Sequence, residues 1–167
     1  MKKLFAFLFL GMSFSVATAQ ENVTYQKPSK EILELADFQR APSVNMDSKK
    51  EYMLLSYRNT YKTLDDLNQE EMRLGGLRIN PITNISSTTT YVNNLKLRKV
   101  KDKNEVQVKG LPVNALITNV RWSPNEKKIA FTNTTNSGVE LWIIDVLTAE
   151  ANKITSANLN ANLGSPF

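Results

Sequence analysis

Val120-Arg121-Trp122-Ser123-Pro124-Asn125-Glu126-Lys127-Lys128-Ile129-Ala130-Phe131 is the stretch that decides how this chain folds. Val120 and Trp122, two apolar residues two apart, lead into a polar turn, and Ile129 and Phe131 leave it. Period-two alternation on both sides of a turn is the pattern of a β-hairpin with one buried face. Pro124 presets φ for a tight turn over Ser123-Pro124-Asn125-Glu126. The same frame stands 76 residues earlier, where Val44, Met46, Met53 and Leu55 flank Asp47-Ser48-Lys49-Lys50. That first turn has the polar chemistry without the proline.

A second correspondence has a different offset. Leu95, Leu97, Val100 and Val108 match Leu141, Ile143, Val146 and Ile154, each 46 residues later. Two copies of one four-strand unit account for both offsets, the earlier copy carrying 30 extra residues between its second and third strands. The pattern predicts strands near Ser43–Met46, Tyr52–Tyr57, Tyr91–Val100 and Glu105–Val108 in the first unit. It predicts Ile117–Trp122, Lys128–Thr132, Glu140–Val146 and Ala151–Ile154 in the second. Val106 falls opposite Asn152 in this alignment, so the fourth strands match least well.

A unit of roughly forty residues has the length of a four-stranded propeller blade. Such a blade cannot bury both faces alone; it stacks on neighbours, with typically about 4–8 blades closing a ring, and stacked repeats need about three or more units for stability. The expected fold class is therefore all-β: an incomplete β-propeller of about two four-stranded antiparallel blades, with a short N-terminal helix and a helix-containing insertion. The expected organisation is a signal peptide over 1–19, an N-terminal lead with a short helix over 20–42, a first blade over 43–110 with its insertion at 59–90, a second blade over 111–156, and the truncated start of a further blade over 157–167. On this reading the chain is the front part of a longer protein or the product of a truncated gene. A complete small sandwich is the alternative.

In the lead, Ser29 is the expected N-cap of a helix carrying Ile32, Leu33, Leu35 and Phe38 on one apolar stripe. In the insertion, Thr63-Leu64-Asp65-Asp66 resembles a capping box, and Leu64, Leu67 and Leu74 precede a Gly75-Gly76 stop, which predicts a short helix. A strand over Leu77–Ile79 follows, and Pro81 prevents it from continuing as a central strand.

Lys2 and Lys3, the apolar stretches Leu4–Leu10 and Met12–Val16, and the small-x-small run Ala17-Thr18-Ala19 have the layout of an export signal cleaved before Gln20. The apolar run is too short to span a bilayer, so no stable membrane anchor is expected and the product is periplasmic or extracellular. A retained amphipathic anchor is the alternative.

With no cysteine there is no disulfide, lipidated thiol or thiolate metal site. The absence of histidine removes the usual general base, the usual zinc ligand and the third member of a serine triad. The formal charge of +5 includes Lys2 and Lys3. The densest basic run, Lys96, Arg98, Lys99, Lys101, Lys103 and Lys109, alternates with Leu95, Leu97, Val106 and Val108 rather than with exposed aromatics. That is the wet face of a strand pair or a lysine-protected edge, so no nucleic-acid partner is expected.

Arg121-Trp122-Ser123-Pro124-Asn125, followed by Lys128-Ile129-Ala130-Phe131 and Leu141-Trp142-Ile143-Ile144-Asp145, resembles the propeller repeat of prolyl-oligopeptidase-family serine peptidases, a repeat that TolB-like propellers share. Met72-Arg73-Leu74-Gly75-Gly76-Leu77-Arg78-Ile79-Asn80-Pro81, with Asn84, resembles the N-terminal region of the glutamyl-endopeptidase-like branch, as does the tail Asn158–Phe167. The resemblance implies a propeller seated over an α/β-hydrolase domain and restricting access to its active site. It implies peptide-bond hydrolysis by acyl transfer, preferentially after glutamate, with the serine, acid and histidine in the hydrolase domain. No catalytic, cofactor-binding or metal-binding residue carries over to this chain, which lacks a Gly-x-Ser-x-Gly elbow and is expected to be inactive alone, without cofactors. Peptide substrates would be met through the catalytic domain, and open blade edges would allow self-association. The alternative function is a stand-alone secreted TolB-like binding or scaffold module.

Three residues carry competing readings. Trp122 and Trp142 could stack on a ligand, but alternating positions in adjacent strands favour packing between blades. Arg78 could grip an acidic side chain bidentately, but pairing with Asp65, Asp66, Glu70 or Glu71 is the plainer expectation. Those acids lack the spacing and glycine of an EF-hand. The sequons at Asn22, Asn84 and Asn133 carry little weight behind a bacterial-looking signal.

Overall fold

The computed structural model describes residues 26–167; the expected signal peptide over 1–19 lies outside them. The described chain forms two units, divided between Asp37 and Phe38. The first contributes helix α1 (Lys30–Ala36). Ser29 stands at its N-cap with extended backbone, but its side chain makes no capping hydrogen bond. The helix stops short of Phe38, and Ile32, Leu33 and Leu35 are exposed, so the expected apolar stripe buries nothing here. No helix of the described residues is long and apolar enough to cross a membrane.

The second unit is all-β, with three antiparallel sheets and no closed barrel. The first sheet contains β1 (Ser43–Met46), β2 (Tyr52–Tyr57), β6 (Asn94–Lys99) and β7 (Glu105–Gln107) in that spatial order. The second contains β8 (Ile117–Trp122), β9 (Lys128–Thr135), β10 (Gly138–Asp145) and β11 (Glu150–Lys153), also as a meander. Between β2 and β6 lie the one-turn helix α2 (Leu64–Leu67) and a small sheet of β3 (Met72–Leu74), β4 (Leu77–Asn80) and β5 (Ile85–Ser86).

The two four-stranded sheets repeat bond for bond. Asp47 N donates to Tyr52 O, and Ser123 N to Lys128 O. The Asp47 carboxylate accepts from Tyr52 N at 3.1 Å, while the Ser123 hydroxyl oxygen accepts from Lys128 N at 3.0 Å. Both turns place a non-glycine residue at positive φ, Lys50 at 57° and Glu126 at 60°. The 46-residue offset holds as well: Val108 N donates to Leu95 O, and Ile154 N to Leu141 O. Leu97 pairs with Val106 as Ile143 pairs with Asn152. Val106 and Asn152 are both exposed on outer strands, so the mismatch between them costs no core packing.

The insertion departs from expectation. Thr63 does form a capping box with Asp66, but α2 ends at Leu67, and Leu64 and Leu67 point into solvent. Leu74 belongs to a strand, and Gly75-Gly76 is not a helix stop. The two glycines, at φ 53° and 90°, are the central residues of a hairpin joining β3 to β4. A two-residue hairpin turn with both central residues at φ > 0 matches the right-handed strand twist, and glycine enters that region without steric cost. β4 then ends at Asn80, before Pro81, as the missing N–H requires.

Alternation decides which faces meet. Leu54, Leu95 and Leu97 share one face of the first sheet and pack against Ile117, Ile129, Phe131 and Ile144 of the second. Trp142 stacks on Phe131, ring centroids 6.1 Å apart, and Trp122 reaches across to donate from Nε1 to Asn45 Oδ1 at 3.2 Å. Backbone bonds also tie the sheets. Val92 and Ile117 exchange a pair at 2.8 and 2.9 Å, and Lys109 bonds Ala149 O and Ala151 N at 2.9 and 2.8 Å. Through the 76-residue offset, the face that the second sheet buries corresponds to the outer face of the first. Ile129 and Phe131 are fully buried; on the equivalent outer face their counterparts are the half-buried Met53 and the buried Leu55, while Val44 and Met46 are 55% and 49% exposed.

Two outcomes test this packing. Leu54→Ala should cost about 2–5 kcal/mol in chemical denaturation, whereas Val113→Ala, fully in solvent, should stay within about 0.5 kcal/mol. Gly138, at φ 151°, leaves no room for a Cβ beside the Ala157 carbonyl oxygen. Gly138→Ala should therefore strip hydrogen-exchange protection from the Leu159 and Ala161 amides, which bond Val139 O and Asn84 O, while sparing Ile144.

Candidate functional site

The small sheet and the β9–β10 end of the second sheet border an open recess of about 310 Å³. α2 and the turn after it bring Asp66 and Glu70 to its rim. The segment following β4 brings Thr83, the run into β6 brings Tyr91, and β9 brings Thr134. Leu116 supplies an apolar wall.

The wall is held by satisfied polar groups. Asn80 Oδ1 accepts from Ile82 N and Thr83 N, and its amide donates to Gln69 Oε1 at 3.0 Å. Glu71 clamps the small sheet from outside: Arg78 Nε donates to it at 2.7 Å, Arg73 Nε at 2.8 Å and the Ser87 hydroxyl at 2.6 Å. Arg78, Ser87 and Arg73 hold the Glu71 carboxyl down at about 2. Arg78 is thus committed to an ion pair with Glu71, one of the acids expected for it.

The hydroxyl oxygens of Thr83 and Thr134 are sealed from solvent behind this lining, each residue being 7% exposed. The Tyr91 phenol is held above its ordinary pKa by burial, opposed in part by a hydrogen bond with the Thr134 side chain. Sequence reasoning did not find this cavity.

A second recess of about 230 Å³ shares Asp66 and Tyr91 but is basic, with Arg40, Arg58 and Lys62 in its lining. Among the described residues neither Arg40 nor Arg58 forms an ion pair. Elsewhere, Lys96 of the expected solvated face pairs with Glu105 at 2.9 Å and lies over the Tyr57 ring. No group of three or more acidic or other metal-ligating side chains is gathered among the described residues.

Glu140 forms a buried hub in the second sheet. Burial opposes its ionisation, but bonds from Trp142 Nε1, Asn133 and Lys153 outweigh it and lower its pKa. Trp142 is therefore held on both its ring face and its N–H, as packing rather than as a free stacking platform.

Fold and cavity together define an all-β protein of stacked antiparallel sheets with a hydroxyl-lined recess beside an inserted hairpin. The chain is 29% identical over 137 residues to a probable glutamyl endopeptidase, chloroplastic, of Oryza sativa subsp. japonica. It is 26% identical over 136 residues to a protein of the same description from Arabidopsis thaliana. Each alignment covers 76% of this chain but only 15% and 14% of the respective relative, so the chain spans about one seventh of their length. No protein-family profile and no solved structure matches it.

The carboxylates carry an acid prediction. Glu71 and Glu140 both have folded pKa values below the ordinary 4.5, so their contribution is present above that value and lost as pH falls below it. The melting temperature should decline from pH 4.5 towards 2, and Glu71→Gln combined with Glu140→Gln should flatten that decline in a thermal scan series.

Proposed function

We propose that the chain is the N-terminal β-propeller segment of an exported serine peptidase that cleaves peptide bonds after glutamate, acting as a gate rather than as the catalyst. The observation that carries this reading is the similarity to proteins described as glutamyl endopeptidases, over a stretch without histidine or a Gly-x-Ser-x-Gly elbow. The chemistry would then reside in a separate hydrolase domain.

The sheet arrangement supports the propeller part. In a sandwich the two equivalent faces would meet. Here unlike faces meet, so the packing is head to tail, as between successive blades of a ring. The Val92–Ile117 bridge, between the run into the third strand of one sheet and the first strand of the next, recurs as Val139–Leu159, with Val139 within one residue of the counterpart of Val92. Leu159 thus stands against the second sheet much as Ile117 stands against the first, which supports the reading of a further blade beginning near 157. The arginine-bearing recess, in which Arg40 and Arg58 form no ion pair among the described residues, would favour acidic peptides approaching along the propeller. Lys2, Lys3 and the apolar run before Ala17-Thr18-Ala19 support export to the periplasm or exterior.

The purified chain should not hydrolyse glutamyl chromogenic peptides, whereas the product of the full reading frame should, with inhibition by serine-directed reagents. Turnover by the 167-residue chain alone would overturn the gating role. A frame that closes after Phe167, together with a monomer that melts cooperatively, would favour the stand-alone TolB-like module.

A further inference from the structure

We propose that the free edge of β3 is a docking site for an extended peptide segment in which one glutamate or aspartate stands between two apolar residues. β3 is the outer strand of the small sheet, and β4 is its only strand neighbour among the described residues. Ser87 N donates to Arg78 O, so the Arg78 backbone faces the β5 side and the Arg73–Arg78 pair exchanges no hydrogen bond. In an antiparallel ladder both members of such a pair turn their N–H and C=O away from each other. Arg73 therefore points a donor and an acceptor outward from the middle of β3. An added strand completes its hydrogen bonds on such a residue.

The two faces of the hairpin fix what that strand must carry. Arg73 and Arg78 lie directly opposite on one face and share a single carboxylate, Glu71, each through Nε. Like charges directly opposite repel. The Arg73 side chain is 75% exposed, and among the described residues its terminal nitrogens bond no other group. A carboxylate opposite Arg73 on the added strand falls on this same face and gives the paired guanidiniums a second acid. The other face carries Met72, Leu74, Leu77 and Ile79, and all but Ile79 are exposed. Apolar residues on either side of the incoming acid land beside Met72 and Leu74 and cover them. A second copy of the chain fits poorly: two β3 edges paired about Arg73 would set that arginine against its own equivalent. The site is separate from the recess at Arg40 and Arg58 and does not rest on the peptidase reading.

The test titrates the whole chain with the end-capped peptide Ser-Thr-Val-Glu-Val-Thr-Ser and follows backbone amides by NMR. The Met72, Arg73 and Leu74 amides should shift, and the Arg73 amide should gain exchange protection. Glutamine in place of the peptide's glutamate should weaken binding about fivefold or more. N-methylation of that glutamate removes the donor facing Arg73 O and should abolish binding. Arg73→Gln should erase the preference for glutamate over glutamine, while Arg58→Gln should leave the affinity unchanged. The peptide variants use the native chain, so they decide the matter even where Arg73→Gln loses the hairpin. Equal binding of the glutamate and glutamine peptides, indifference to N-methylation, or shifts confined to the Arg40 and Arg58 recess would overturn the proposal. So would dimerisation that shifts the same amides without peptide, or no binding at about 1 mM peptide.

Discussion

Everything in the second unit depends on one contact between unlike faces, Leu54, Leu95 and Leu97 of the first sheet against Ile129, Phe131 and Ile144 of the second. Apolar burial is non-directional, so it alone would tolerate many relative placements of two sheets. The direction comes from polar bonds around the contact. The Val92–Ile117 pair fixes one end, the Lys109 bonds fix the other, and Trp122 ties the face to Asn45. With these in place the repeat is translated rather than inverted, so unlike faces of the two sheets meet.

The repeat was legible because it is written in turns as well as in apolar residues. Asp47 and Ser123 look different, yet each supplies an oxygen to the N–H five residues on, and the chain needs no more than that from the position. The offset alignment even located its own weak point, at Val106 against Asn152, and both residues are exposed. The insertion was misjudged for a specific reason. Leu64, Leu67 and Leu74 have helical spacing, and it concealed the mirror-like run Met72-Arg73-Leu74-Gly75-Gly76-Leu77-Arg78-Ile79. Two glycines between alternating strands are a hairpin signal, and the backbone follows that signal over the helical one.

The cavity had no such signature. Asp66, Thr83, Tyr91 and Thr134 are ordinary residues scattered over seventy positions, and each alone belongs to a cap, a turn, a linker or a strand. Only the placement of the small sheet beside β9 brings them together. Arg78 shows the opposite case. The sequence narrowed its partner to a few nearby acids, and Glu71 takes it together with Arg73.

The inserted hairpin has a consequence for the order in which the chain assembles. β8 to β11 are contiguous and joined by tight turns, so the second sheet can form from local contacts. The first sheet must close the long excursion between Tyr57 and Asn94 before β6 can meet β2, and that closure carries an entropic cost which grows with loop length. A chain emerging N-terminus first would therefore hold its earliest hairpin unfinished, with Leu54 unsheltered, until later-made strands offer it a surface to settle on.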